Sequence, residues 1–427
     1  MRAQLFWFYD LLRGSVIKNE LEDIKWILRD PFDADQKERR ELHVKKLLEH
    51  IVQTVPYYEG RTVSNLTDFP VVNKKVVQDN FESFKSSLFQ GKDLFKVATS
   101  GSTGVPLMLF HNKGKRLRNT ADVLHFLENT GYEIGNTLFE LEVWRNHNRR
   151  RGFKNFLQNT VQFDVSAMNG ECIEKLLKLL SKSSNKKNIL GFSSALESIC
   201  TYIETNNIPP KTKNVESVIA NSEYLNAYTR ESVQRIFGCP IYSRYSSEEL
   251  GILAHQTSTS AEDFQINWAS YYVEILDMNS DIPAKNGTLG RLVVTDLFNY
   301  SMPLIRYDTG DVAMFNESDK RFLKTPEGRK MDMIFDTQGN MLSSYVVYTK
   351  FYPYYHLLHQ YQFVQMGEKE YLVKLNTKED FAFERELISS FKDDFGKDAI
   401  ITVAHVDEIP PLSSGKRKKV VNEYKKS

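Results

Sequence analysis

Cysteine is scarce in this chain. Cys172, Cys200 and Cys239 stand far apart, odd in number and without CxxC spacing, so neither a disulfide framework nor a structural zinc site is indicated, and a reducing cytoplasm fits. Net charge is scarce too. Fifty-six basic residues against 55 acidic ones leave +1, which argues against wholesale nucleic-acid binding and for a small-molecule partner. Long apolar runs are missing. Leu5-Phe6-Trp7-Phe8-Tyr9 is cut by Asp10 and Arg13 before a signal-peptide core or a membrane span is complete. The glycine-rich segment near residue 100 lacks a Gly-Lys-Ser/Thr ending, so it does not propose P-loop NTPase chemistry.

What is present is ordinary globular composition over 427 residues, 41% apolar and 26% charged, in a chain longer than one core usually serves. Leu11, Leu12, Val16, Ile17, Leu21, Ile24 and Trp26-Ile27-Leu28 follow a helical period expected to pack on the domain, with a membrane-surface helix as the other reading. Leu42, Val44, Leu47, Leu48, Ile51 and Val52 mark a second amphipathic face ending before Pro56. Further on, helical stretches alternate with β-rich runs such as Ser217-Val218-Ile219-Ala220, Tyr271 to Leu276 and Gly290 to Asp296, the pattern of α/β layers. Thr325-Pro326-Glu327-Gly328 is a turn signal. Beyond it lie strand candidates at Tyr361 to Val364, Tyr371 to Leu375 and Ile400 to Val403, with a helix from about Ala382 to Phe395. The expectation is a large layered α/β domain over residues 1–328 and a small α+β domain over 329–427.

Four segments carry chemistry. Thr99-Ser100-Gly101-Ser102-Thr103-Gly104-Val105-Pro106 offers hydroxyls and glycine-freed N–H groups that can wrap phosphate oxygens, although such small polar runs, taken alone, are usually surface turns. In Arg244-Tyr245-Ser246-Ser247-Glu248-Glu249 a ring can stack on a purine and a carboxylate can hold Mg²⁺ against phosphates; a capped helix start has the same texture. Leu304-Ile305-Arg306-Tyr307-Asp308-Thr309-Gly310-Asp311 reads as an apolar strand running into Asp311, whose carboxylate can accept both ribose hydroxyls, or as a hairpin turn. Ser413-Ser414-Gly415-Lys416 places a lysine near the chain end on a flexible stretch, or is a solvated basic tail. A basic, aromatic stretch from Trp144 to Lys154, with His147 inside it, suits either an anionic substrate or solvent.

In this order the segments resemble the signatures of the adenylate-forming superfamily of acyl-CoA synthetases, luciferases and nonribosomal adenylation domains, with Gly328 to Asp332 similar to its hinge. Val55-Pro56-Tyr57-Tyr58, Phe69 to Lys74, Gly191 to Leu196 and Asn221-Ser222-Glu223-Tyr224-Leu225 are similar to the phenylacetate-CoA ligase branch, CapK-type members associated with capsule synthesis in particular. The resemblance implies the adenylate-forming fold with the small C-terminal domain as a lid, ATP and Mg²⁺ as cofactors, and a small carboxylic acid activated as an acyl-adenylate. It implies transfer to CoA, or to an amine or hydroxyl of a polysaccharide precursor; a silent nucleotide-binding scaffold is the remaining reading, and a homodimer is compatible. Lys416, Glu249 and Thr99 would be catalytic, Glu249 also holding the metal with Glu248 as the alternative. Ser100, Gly101, Ser102, Thr103, Gly104, Tyr245, Ser246, Ser247, Asp311 and Arg329 would bind the nucleotide. Val105, Ser246, Asp308 and Met331 depart from the signatures, which leaves the second half-reaction less determined than ATP binding.

Overall fold

The computed structural model describes the chain except residues 1, 62–64, 90, 92–93, 100–105, 145–157, 167, 183–184, 210–211, 258–261, 325, 327, 330–333, 343, 378, 413–416 and 425–427, and except the side chains at 328–329, 341, 344–345 and 356. Contacts divide it into two compact units, one of residues 1–137, 151–159 and 242–326, the other of 138–150, 160–241 and 327–427.

The first unit opens with helices Arg2–Leu11, Val16–Arg29 and Ala34–Thr54. The expected single helical period breaks between the first two. Asp10 turns inward and accepts the Ile17 and Lys18 N–H groups, both at 3.0 Å, satisfying amides at the start of the second helix that have no intrahelical partner. The second helix buries Leu21, Ile24, Ile27 and Leu28. Leu11 and Leu12, expected to pack, are instead exposed, with Leu5, Phe8 and Tyr9 also on the surface.

Two sheets position the site. In the first, Val72–Asn73 runs parallel to Tyr307–Ala313, which pairs antiparallel with Gly290–Asp296, itself antiparallel to Tyr271–Leu276. In the second, Ile241–Ser247, Gly251–Gln256, Asp263–Ile266 and Phe322–Lys324 form an antiparallel run. A separate antiparallel hairpin joins Leu94–Ala98 to Met108–Asn112. Leu304 to Arg306, expected to be strand, lie outside it. Arg306 has φ 45°, off the extended region, and its guanidinium is buried on both Glu274 oxygens, at 3.1 and 2.9 Å, and on the Phe69 carbonyl at 3.0 Å. The strand therefore starts at Tyr307, and the Asp308–Asp311 segment lies within it rather than in a turn.

The second unit contains four strands in the order Val215–Asn221, Lys187–Phe192, Thr137–Glu142, Thr160–Asp164, with helices Gly170–Lys182 and Ser193–Thr205 between them in sequence and Ala227–Phe237 after the last. Every residue of Lys187–Phe192 is buried, as parallel strands covered on both faces require. Gly191 has no room for a side chain, since a Cβ would lie 2.8 Å from Leu141 Cβ. The C-terminal part builds a four-stranded sheet in the order Ile400–His405, Glu370–Thr377, Leu358–Gln365, Val420–Asn422. Helices Ser344–Phe351 and Glu384–Phe395 share with it an aromatic core of Phe351, Phe363, Phe391 and Phe395. The architecture is mixed α/β with an α+β C-terminal part. The three C-terminal strands and the helix expected there are present.

Candidate functional site

The hydroxyl- and glycine-rich loop is the connection of a hairpin. Ladder pairing ends at Ala98 opposite Met108. Beyond it the Thr99 N–H donates to the Leu107 carbonyl, and the Leu107 N–H donates to Thr99 Oγ1, each at 2.9 Å. Gln78 Nε2 donates to the Pro106 carbonyl at 3.1 Å. The two ends of the loop are thus fixed side by side. Ser100, Gly101, Ser102, Thr103, Gly104 and Val105 lie outside the described residues. The Thr99 hydroxyl acts as an acceptor in its bond to Leu107, which does not consume its own proton.

Two motifs 66 residues apart meet. The Tyr245 hydroxyl, from strand Ile241–Ser247, donates to Asp311 Oδ2 in strand Tyr307–Ala313 at 2.5 Å. Burial, with the Asp311 carboxylate beside it, raises the Tyr245 hydroxyl well above its usual value, so it remains a protonated donor at neutral pH. Asp311 is set from below as well. Its N–H donates to Thr309 Oγ1 at 3.1 Å, and that hydroxyl donates to the Leu292 carbonyl at 2.9 Å. Asp308, which departs from the resembled signature, accepts Arg291 Nη1 at 2.8 Å and the Gly310 N–H at 2.9 Å. The extra negative charge is therefore neutralised within the sheet.

Ser246 and Ser247 finish the strand half-buried, and the following turn separates the two glutamates: Glu248 is exposed, whereas Glu249 is 8% exposed. No helix starts here. The turn is held through its carbonyls by residues that sequence reasoning missed. His111 Nε2 lies 2.9 Å from the Glu249 carbonyl, and the Tyr271 hydroxyl donates to the Leu250 carbonyl. Tyr271 in turn accepts from Lys115 Nζ at 3.1 Å, and Lys115 pairs with Asp296 at 2.7 Å, both side chains at most 1% exposed. Burial and the Lys115 cation push the His111 imidazole down to about 4; it is neutral near pH 7, and bonding to a carbonyl makes Nε2 the protonated nitrogen. Gly251 follows with φ 112°, and a Cβ there would sit 2.9 Å from the Tyr271 hydroxyl, so only glycine fits the turn. The available sequence signal was a polar residue closing each apolar strand, His111 after Met108-Leu109-Phe110 and Asp296 after Leu292-Val293-Val294-Thr295.

The remaining expected site residues lie in the other unit. Arg329 is in the short strand Gly328–Arg329, but its side chain is outside the described residues, as are Met331, Asp332 and Lys416. His147 and the rest of the basic stretch beyond Trp144 are likewise outside them. Among the described residues, no group of three or more His, Cys, Asp or Glu side chains could hold a metal ion, and no helix is long and apolar enough to cross a membrane. Mg²⁺ keeps several waters and usually takes one or two carboxylates together with substrate phosphates. One buried glutamate at the end of the Tyr245 strand fits that pattern without a cluster.

Residues 334–423 match the CapK C-terminal domain family. The chain is 23% identical over 379 residues to protein CapK of Staphylococcus aureus, covering 85% of this chain and 82% of that protein. It is 23% identical over 438 residues to a phenylacetate-coenzyme A ligase of Aromatoleum evansii, covering 95% and 98%. Among solved structures, 2-hydroxyisobutyryl-CoA ligase in its postadenylation state, complexed with 2-HIB-AMP, matches with a TM-score of 0.74 at 14% identity, over 92% of this chain and 90% of that one.

Proposed function

We propose, starting from a chain that carries the fold of adenylate-forming ligases and is a relative of CapK and the phenylacetate-coenzyme A ligases, that it activates a small carboxylic acid with ATP. The observation that carries this reading is the Tyr245–Asp311 bond. It joins a ring suited to a purine and a carboxylate suited to ribose hydroxyls in one place, beside a turn that presents Glu249.

In this reading a carboxylate oxygen of the substrate attacks the α-phosphorus of ATP. The bond from that phosphorus to the bridging oxygen breaks, and pyrophosphate leaves from an acyl-adenylate. Charge on the transferring phosphoryl oxygens is the main obstacle, so fixed donors and cations contribute most. Loop residues Thr99 to Gly104 hold the β- and γ-phosphates, Tyr245 packs on adenine beside Ser246 and Ser247, and Asp311 and Arg329 bind the ribose. Glu249, buried and with its backbone fixed, is the carboxylate for Mg²⁺; exposed Glu248 lacks that fixation. Mg²⁺, when bound, neutralises phosphate oxygens. Lys416 supplies an ammonium from the small domain, residues 329–427, which acts as a lid. In the second half-reaction the CoA thiol loses its proton and attacks the acyl carbonyl, and AMP leaves.

The test is pyrophosphate release from ATP and Mg²⁺ across aryl, fatty, hydroxy and amino acids, with and without CoA. A carboxylate-dependent signal is expected, reduced about a hundredfold or more by Lys416→Ala while nucleotide binding persists. Equal release by the variant would remove Lys416 from the reaction, and silence across the panel with ATP still bound would overturn the reading. Product formation that needs CoA identifies a thioester ligase; a signal unaffected by CoA but raised by a sugar amine or hydroxyl identifies the other acceptor class.

A further inference from the structure

We propose that Glu223 is a positioning residue that clamps the backbone at Arg417, the neighbour of Lys416 in sequence, onto the N-terminus of helix Ser193–Thr205. The catalytic consequence rests on the adenylation reading above; the clamp itself does not.

Both oxygens of Glu223 are taken by backbone amides from distant parts of the second unit. Oε2 accepts the Ser194 N–H at 2.7 Å, and Oε1 accepts the Arg417 N–H at 2.8 Å, across 194 residues of sequence. Its own carbonyl accepts the Ser193 hydroxyl at 3.0 Å. Ser194 sits at the positive end of the helix dipole, where a carboxylate is favoured and first-turn N–H groups lack intrahelical partners. A carboxylate bridging two amides is a stiff link, since bonds to a charged acceptor are shorter and stronger than neutral ones.

The backbone is shaped to deliver this carboxylate. Strand Val215–Asn221 ends, and Ser222 takes φ 68°, a left-handed conformation that a serine holds only when its surroundings impose it. The Glu223 N–H then donates to the Asn221 carbonyl at 2.9 Å, a tight reversal that turns Glu223 back toward the helix. Burial raises the Glu223 carboxyl above its ordinary value, against the Ser194 and Arg417 bonds and the Lys419 charge, which pull it down.

Neighbouring contacts fasten the same join. Lys419 pairs with Glu197, one turn further along the helix from Ser194, and lies 4.6 Å over the Tyr361 ring. Tyr224, next to Glu223, stacks on Tyr348 with ring centroids 4.3 Å apart and planes at 3°. Tyr228 stacks on Tyr355 at 5.0 Å. Those contacts join surfaces, whereas Glu223 reaches the residue immediately after Lys416. Consecutive Cα atoms are about 3.8 Å apart, so a pin at Arg417 limits where a lysine on a Ser-Ser-Gly stretch can be. Beyond Arg417 the Lys418 and Lys419 carbonyls accept Gln362 Nε2 and the Phe363 N–H, each at 2.8 Å, so the Glu223 bond is the hold nearest to Lys416 in sequence.

Hydrogen exchange of the full-length protein, followed in peptides spanning 417–422, tests the clamp without any substrate. Glu223→Ala is expected to speed exchange there by about ten- to a hundredfold, the loss of a hydrogen bond to a charged acceptor, with the cooperative unfolding midpoint unchanged. Glu223→Gln, which turns one acceptor into a donor facing an N–H, is expected to give a smaller increase and serves if the alanine variant fails to fold. Wild-type exchange in both variants would overturn the clamp. Pyrophosphate formation then tests its role: kcat should fall at least tenfold in Glu223→Ala with the KM for ATP unchanged, and partly recover in Glu223→Gln. Faster exchange with unchanged kcat would overturn the positioning role. A wild-type enzyme that releases no pyrophosphate with any acid overturns the adenylation reading and the catalytic role built on it, while the exchange result still decides the clamp.

Discussion

The core behind the Tyr245 turn and the core under the C-terminal sheet are equally buried and built from opposite materials. The first is threaded with ions and imidazoles: Lys115 and Asp296 paired at 2.7 Å, Arg118 on Glu20 and Asp23, and neutral His111, His125 and His255. The second is aromatic, with Phe363 stacked on Phe391 at 4.8 Å and on Tyr371 at 5.6 Å, and its polar atoms confined to bonds such as Tyr355 hydroxyl to Tyr361 hydroxyl at 2.8 Å. Apolar packing fixes volume and is tolerant of small shifts, whereas a buried hydrogen bond fixes direction. The ionic core ends on two carbonyls of the glutamate turn, where direction matters. The aromatic core supports a sheet, where shape suffices.

Acidification should separate the two most strongly. Burial depresses His111 and His125 to about 4 and His255 to about 3. The unfolded chain takes up these protons near pH 6.5, so it binds more protons than the folded state in the window between. The stability from neutral imidazoles is therefore complete above pH 6.5 and is lost as pH falls toward 4, on the order of 3 kcal/mol per histidine at the full shift. The C-terminal core has the opposite edge. Burial raises Tyr371 to about 12, a contribution complete below pH 10 and lost as pH rises through 12. None of the four tryptophans lies in residues 334–423, and Trp7, Trp26 and Trp268 belong to or pack on the other core, so the fluorescence of a Trp144→Phe background at pH 4.5 follows that core, while hydrogen exchange follows the C-terminal strands. Expected is early loss of the tryptophan signal with the C-terminal strands still protected. Simultaneous loss would mean that the difference in materials has no consequence for stability.

Asp296→Asn should have the next largest effect. It leaves the buried Lys115 ammonium without its counter-charge, a change that typically costs about 3–5 kcal/mol. A urea midpoint shift equivalent to less than about 1 kcal/mol would show that the pair is incidental. Replacing both partners, as Lys115→Met with Asp296→Leu, should restore much of the stability, because no unpaired charge remains. It should not restore the glutamate turn, since the Tyr271 hydroxyl loses the ammonium that donates to it.

The same contrast explains what the sequence made legible. Strands Glu370–Thr377 and Ile400–His405 and helix Glu384–Phe395 were visible because alternation and helical period are local signals. The Tyr245 and Asp311 segments were recognisable as chemistry, yet the strand holding Asp311 was placed too early, because nothing local announces the left-handed Arg306 or the Glu274 that holds it. Lys115 and Tyr271 lie 156 residues apart, and Glu223 and Arg417 lie 194 apart. Such pairings are made by the fold, and each partner alone reads as an ordinary polar residue.

Phe391→Leu sharpens the comparison from the aromatic side. Phe391 is fully buried between Phe363 and Phe351, whose ring centroids are 4.8 and 5.6 Å away. Leucine removes part of the ring volume without introducing a polar atom, and neighbouring rings can close over some of the gap, so about 1–2 kcal/mol is expected. Urea unfolding followed by exchange of the C-terminal strands measures it. A loss as large as that of Asp296→Asn would show that ring geometry in this core is as directional as the ionic network. A small loss, with pyrophosphate formation unchanged, would show that the core beneath the sheet makes no directional demand.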